Sequence, residues 1–127
     1  MVSAENGMLA LHGALPDVDT LDDINGIRIG SEVWRQVTWG DFRSAKGKYL
    51  GDYGGRPQFG EDYFTDIMNR LGKELLIRSH QPRTPVLYGG RCLTIFTSHA
   101  YIPVRSVAIV NLDRELRTVD DLIIETI

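Results

Sequence analysis

Two short apolar runs, Met8-Leu9-Ala10-Leu11 and Leu75-Leu76-Ile77, each lead within three residues to a histidine, His12 and His80. Continuous apolar runs of this length, bounded by turn residues, read as buried strands. A chain with two such strands must build a sheet with cover over it. The ends of such strands commonly present side chains to a cleft. Taken alone, a histidine in that place is more often a hydrogen-bonded packing residue than a ligand. The residues around the pair decide its meaning.

The remainder of the chain supports a small globular domain. Its 127 residues, 43% hydrophobic and 24% charged, allow one domain with a real core and argue against disorder. The net charge of -3 gives no basic excess to hold a nucleic-acid backbone. No apolar run approaches the length of a membrane span, and Met1 to Gly7 lacks the charged and apolar regions of a signal peptide. The single cysteine, Cys92, lies in an apolar run and reads as a buried, inert thiol. Neither an internal disulfide nor a cysteine cage for zinc can form, and a cytoplasmic location is the expectation.

The pattern along the chain predicts an α+β fold. A helix start is expected at Asp19 to Ile24, ended early by Gly26, and a helical turn at Ser31 to Val37. Residues 40–60 hold six of the 13 glycines and show no hydrophobic period, which predicts a long loop, functional or mobile. Tyr63, Phe64, Ile67, Met68 and Leu71 mark one apolar face of a helix over 61–71, stopped by Gly72. From residue 74 onward the chain reads as mostly β, an antiparallel meander with a hairpin turning at Gly89-Gly90. Tyr88 and Phe96 are expected in its core.

Five words carry chemistry. They are Leu9-Ala10-Leu11-His12-Gly13-Ala14-Leu15-Pro16, Thr38-Trp39-Gly40-Asp41, Arg56-Pro57-Gln58-Phe59-Gly60, Leu76-Ile77-Arg78-Ser79-His80-Gln81, and Leu93 to Ser98 with Tyr101 just after. In this order and spacing they resemble the C-terminal half of the calcineurin-like metallophosphoesterases of the phosphoprotein phosphatase type. The pattern of that family is a strand ending in His-Gly-Gly-Leu, a Trp-Ser-Asp word, an Arg before a Phe-Gly helix start, an Ile-Arg-x-His-Gln word and a strand ending near a Tyr. The resemblance covers essentially the whole chain. It implies part of a β-sandwich flanked by helices, and a site with two divalent transition ions (Mn, Fe, Zn or Co), for which imidazole is a suitable ligand.

By resemblance, His12 and His80 ligate metal, Arg56 contacts phosphate oxygens with Arg43 as its competitor, Asp41 supports a ligand or an arginine, and Tyr101 lines the substrate cleft. The sequence departs from the pattern at Ala14, where the family has its second glycine, and at Gly40, where it has serine. His99 falls outside the pattern and reads as a surface residue. The short stretch after Arg56 leans toward archaeal or bacterial relatives.

The family's first-half words, Gly-Asp-x-His-Gly, Gly-Asp-x-x-Asp-Arg-Gly and Gly-Asn-His-Glu, do not occur. They hold the carboxylates, the catalytic histidine and a phosphate-binding arginine. Two neutral histidines without them are expected to bind a transition ion weakly. The expectation is therefore a split product, a truncated product or a fragment, inactive alone. Its substrate would be a phosphorylated protein or small phosphoester, and its partner a separate N-terminal half or a second copy. The alternative is a catalytically dead remnant serving as a binding or regulatory module.

Overall fold

The computed structural model describes all residues 1–127. The first strands are β1 (Val2–Ser3) and β2 (Met8–Ala10), followed by a 3₁₀ turn at Asp22–Gly26 and helix α1 (Glu32–Trp39). Then come β3 (Asp41–Phe42), β4 (Tyr49–Tyr53), β5 (Arg56–Phe59), helix α2 (Glu61–Arg70) and β6 (Leu75–Arg78). The last stretch carries β7 (Val86–Leu87), β8 (Cys92–Thr94), β9 (Ser106–Ile109) and β10 (Ile123–Thr126).

The main sheet has the order β1-β2-β6-β8-β7. Its three central strands, β2, β6 and β8, are parallel, with Ala10 opposite Ile77 and Arg78 opposite Thr94. The antiparallel expectation holds for β7 with β8 and for β9 with β10. It fails for β6, and the reason is burial. All four residues of β6 are buried, the condition under which strands pair in parallel beneath cover on both faces. The three strands consequently point their carboxyl ends at one edge, and His12, His80 and the chain beyond Thr94 emerge there.

Residues 40–60 form a second sheet, β3-β5-β4, in place of the expected long loop. The glycines read as loop punctuation are the turn residues of a hairpin. Tyr53 pairs with Arg56, and the two residues between them, Gly54 and Gly55, have φ of 58° and 78°. Positive φ at both central residues is the turn that suits the twist of a hairpin, and glycine adopts it without steric cost. Arg56 is thereby fixed as the first residue of a strand.

Both helices start as the sequence indicates. Ser31 caps α1 by accepting from the backbone N–H of Trp34, and Glu61 and Asp62 occupy the first turn of α2. The apolar face of α2 packs Phe64, Ile67 and Met68 against Leu9, Phe42 and Leu76. Tyr63 belongs to the same core, and its hydroxyl donates to the carbonyl oxygen of Leu15 at 3.0 Å. This buried bond holds the chain just after His12. Tyr63→Phe should cost about 1 kcal/mol of stability, read as a lower denaturant midpoint with an unchanged slope. Cys92 is fully buried, and burial pushes its thiol up to about 12, so it is inert as expected.

Candidate metal and phosphate site

Two polar clamps in the Ile77 to Gln81 word position the site. Arg78 is 1% exposed. Its Nε donates to the carbonyl oxygen of Gly13 at 2.7 Å and its Nη2 to that of Gly40 at 3.0 Å. Its Nη1 donates to Oε1 of Gln81. The guanidinium thus joins the segment after His12 to the segment before Asp41. Gln81 acts as a one-residue strand: Oε1 accepts from the N–H of Phe42 at 2.8 Å and Nε2 donates to the Phe42 carbonyl at 3.0 Å. Nothing in hydrophobic periodicity points to either role.

Between these clamps lies His80. Its backbone φ is 76°, in the left-handed region that non-glycine residues rarely occupy. Its Nδ1 faces Nε2 of His12 at 3.1 Å. Its Nε2 faces Nη2 of Arg56 at 2.7 Å. Trp39 packs edge-on against the ring, with centroids 5.7 Å apart. Asp41 is buried below, its Oδ1 3.6 Å from His80 Nε2 and its Oδ2 3.7 Å from Arg56 Nη1. The side-chain amide of Gln58 donates to Asp41 Oδ2 at 3.1 Å, whereas Oδ1 has no hydrogen-bond partner.

Both imidazoles are held neutral. Burial, then the charge of Arg56, pushes His80 down to about 4. Burial, then Arg78 and Arg56, also lowers His12. Neutral rings with facing nitrogens are a donor set that suits a transition ion. The 3.1 Å between the facing nitrogens is a hydrogen-bond distance. The set is incomplete, because no group of three or more His, Cys, Asp or Glu side chains comes together in this chain. His12 and His80 supply two facing ring nitrogens and no third ligand.

The pair opens into a cavity of about 550 Å³ lined by His12, Trp39, Arg56, His80, Phe96 and Tyr101, among others. Tyr101 packs edge-on to Phe96, with centroids 5.8 Å apart. Arg56 faces this cavity and Arg43 does not. The Nε of Arg43 donates instead to Oε1 of Gln58 at 2.6 Å. His99 is exposed and lies outside the lining. Trp39 and Phe96 are cavity residues that sequence reasoning missed. Trp39 stands inside the Trp39-Gly40-Asp41 word, which was the available signal. Phe96 was expected in the core because it ends an apolar run, but β8 stops at Thr94 and leaves it at the cavity wall.

The two departures from the family pattern meet in space. A Cβ at Gly40 would lie 2.5 Å from the Cβ of Ala14, and also 2.5 Å from the carbonyl oxygen of Gln36. The family pattern has the larger residue at the place of Gly40 and glycine at the place of Ala14. Here the methyl group stands on the other side of the same contact.

A mixed sheet delivers a histidine from each of two parallel strand ends, beside an arginine from an adjacent hairpin. Comparison with known proteins supplies the class. Serine/threonine-protein phosphatase 5 of Homo sapiens is 31% identical over 104 residues, covering 74% of this chain and 21% of its own length. Serine/threonine-protein phosphatase T of Aspergillus oryzae is 31% identical over 126 residues, covering 88% of this chain and 26% of its own length. A solved protein serine/threonine phosphatase from Saccharomyces cerevisiae, described as similar to human phosphatase PP5, matches with a TM-score of 0.72. That match covers 96% of this chain and 44% of the solved one at 24% identity, and it shows the fold. No family model matches the chain. The chain is homologous to the serine/threonine-protein phosphatases over most of its length. It spans about a quarter or less of the curated relatives it matches.

Proposed function

We propose that the chain is the C-terminal portion of a dinuclear-metal phosphoesterase of the phosphoprotein phosphatase type, active only with a first half that brings the carboxylates. The observation that carries this reading is the facing pair His12 Nε2 and His80 Nδ1, 3.1 Å apart beneath Arg56 at the wall of an open cavity. The homology to serine/threonine phosphatases supports it. In this reading His12 and His80 hold one edge of the metal centre. Divalent manganese, iron, zinc or cobalt ions would supply Lewis acidity there and activate a water for in-line attack on phosphorus.

The chain's own residues do the rest of their share. Burial keeps both imidazoles neutral and able to donate a lone pair. The planar fork of Arg56 suits two phosphate oxygens. Trp39, Phe96 and Tyr101 give the cavity aromatic walls that shelter the ester from water on one side. The substrate class is a phosphorylated protein or a small phosphate monoester. Water adds to phosphorus, the bond to the leaving alcohol breaks, and the alcohol leaves with a proton. Partners are a polypeptide carrying the first-half words or a second copy, and the β9–β10 ribbon leaves Ile109, Ile123 and Ile124 exposed.

Mixing tests this. Hydrolysis of p-nitrophenyl phosphate and of a phosphoserine peptide would be followed with manganese, for the chain alone and with a polypeptide bearing Gly-Asp-x-His-Gly, Gly-Asp-x-x-Asp-Arg-Gly and Gly-Asn-His-Glu. Turnover should appear on mixing and vanish with His80→Asn. No turnover on mixing, with binding between the two polypeptides demonstrated, would leave the binding-module reading in its place.

A further inference from the structure

Arg35 of α1 is the polar tie between that helix and the tip of the β4–β5 hairpin, and β4 is built irregularly to reach it. Tyr49 pairs with Phe59 and Asp52 with Pro57, so β4 carries one extra residue, with Gly51 at a φ of 95°. Residues three apart on a regular strand face opposite sides of the sheet. The bulge brings Tyr49 and Asp52 to the same side, where the Tyr49 hydroxyl donates to Asp52 Oδ2 at 2.7 Å. Asp52 Oδ1 accepts from Nη2 of Arg35. The same Nη2 lies 3.4 Å from the carbonyl oxygen of Gly55. Glu32, one turn earlier on α1, holds Nη1 of Arg35 at 3.0 Å. No other hydrogen bond runs from α1 to residues 49–56. Packing does not replace this tie. A cavity of about 490 Å³ lies between Trp34 and Trp39 on α1 and Gly54 and Gly55 at the tip, and a Cβ on either glycine would meet nothing within 4 Å. Arg56, the residue after Gly55, lines both this cavity and the one beside His80.

We propose that Arg35 is a positioning residue for Arg56. With Asp52 it latches the hairpin tip to α1, and the latch sets where the Arg56 guanidinium stands in the cleft. It also ties two walls of that cleft together, because Trp39 lies four residues after Arg35 on the same helix. A bulge that re-aims a side chain beside a binding site is a recurrent use of that irregularity. The side chains of Arg35 and Asp52 are 32% and 42% exposed, so solvent weakens their attraction. The latch therefore adjusts oxyanion affinity a few-fold and does not create it. The inference rests on Arg56 being the group that meets a phosphoryl oxyanion, and the experiment separates the two ideas.

The sign of one substitution decides. Asp52→Asn removes a negative charge near Arg56, so charge alone predicts tighter binding of an anion. The latch predicts weaker binding. Inorganic phosphate would be titrated into the metal-free full chain, labelled with nitrogen-15 and followed by NMR at the backbone amides of Gly55 and Arg56. Wild type should show a saturable shift that Arg56→Gln abolishes. Asp52→Asn should weaken phosphate about threefold. Arg35→Gln should weaken it at least as much, since a positive charge goes as well, and Arg35→Lys should recover part of the loss. Adding Asp52→Asn to Arg35→Gln should weaken binding no further, because the latch is already open. Glu32→Gln removes a negative charge without opening the latch and should not weaken binding. Heteronuclear NOEs at Gly54 and Gly55 should fall in Asp52→Asn and stay unchanged in Glu32→Gln. An Asp52→Asn chain that binds phosphate as tightly as wild type, or tighter, overturns the latch and leaves the assignment of Arg56 to phosphate standing. Phosphate that fails to shift wild type, or that shifts Arg56→Gln equally, overturns that assignment and the latch with it.

Discussion

Arg78→Met is expected to lower the stability of the chain by about 3 kcal/mol, because it strips the donors from two buried carbonyls at once. Methionine fills much of the same volume, so the loss measures hydrogen bonding more than a cavity. The carbonyls of Gly13 and Gly40 each lose their guanidinium donor, at about 1–3 kcal/mol for a buried acceptor left unpaired. Relief from burying a charge offsets part of that sum. The charge is real at neutral pH, since burial pulls the Arg78 guanidinium down only to about 10. Packing of the guanidinium against the Phe42 ring, 5.4 Å from its centroid, is lost as well. A guanidinium-chloride midpoint that falls with an unchanged slope is the expected record. An unchanged midpoint would show that the two loops hold themselves. Gln81 should be loosened by the same change, since Arg78 is one of its two donors.

Gly40→Ser is expected to cost about 1–3 kcal/mol alone and much less when combined with Ala14→Gly. The serine Cβ would meet the Ala14 methyl at 2.5 Å, closer than real Cβ contacts are found. Removing that methyl opens the space. The same Cβ also meets the Gln36 carbonyl at 2.5 Å, so the end of α1 must still shift and the rescue is partial. Ala14 is fully buried, so Ala14→Gly alone should also destabilise, through a small void and added freedom in the unfolded chain. The two costs should therefore be strongly non-additive, with a coupling on the order of 1 kcal/mol in a double-mutant cycle. Additive losses would mean that the two departures from the family pattern are unrelated.

How far the sequence revealed this molecule can be judged from particular residues. The strand ends at His12 and His80 were legible because short apolar runs stop abruptly at polar residues. The face of α2 was legible because its period survives from Tyr63 to Leu71. The grouping of His12, His80, Asp41 and Arg56 was legible through the order of the five words, although no residue spacing alone brings positions 12 and 80 together. Three features were not legible. The parallel pairing of β6 depends on cover from both faces, and a three-residue apolar run does not declare its neighbours. The hairpin at 49–59 was hidden because Gly54 and Gly55 score as loop residues while serving as its turn. The clamps at Arg78 and Gln81 were invisible because burying a guanidinium and a carboxamide runs against composition rules and is decided only by the carbonyls that await them.

The backbone at His80 has a wider consequence. A φ of 76° is one that glycine or asparagine adopts at lower cost than histidine. The fold therefore carries a standing penalty at His80. A lineage selected for thermal robustness alone would drift toward glycine there, gaining an easier backbone and discarding the imidazole. Histidine at position 80 forgoes that easier backbone and places an imidazole between Arg56 and His12.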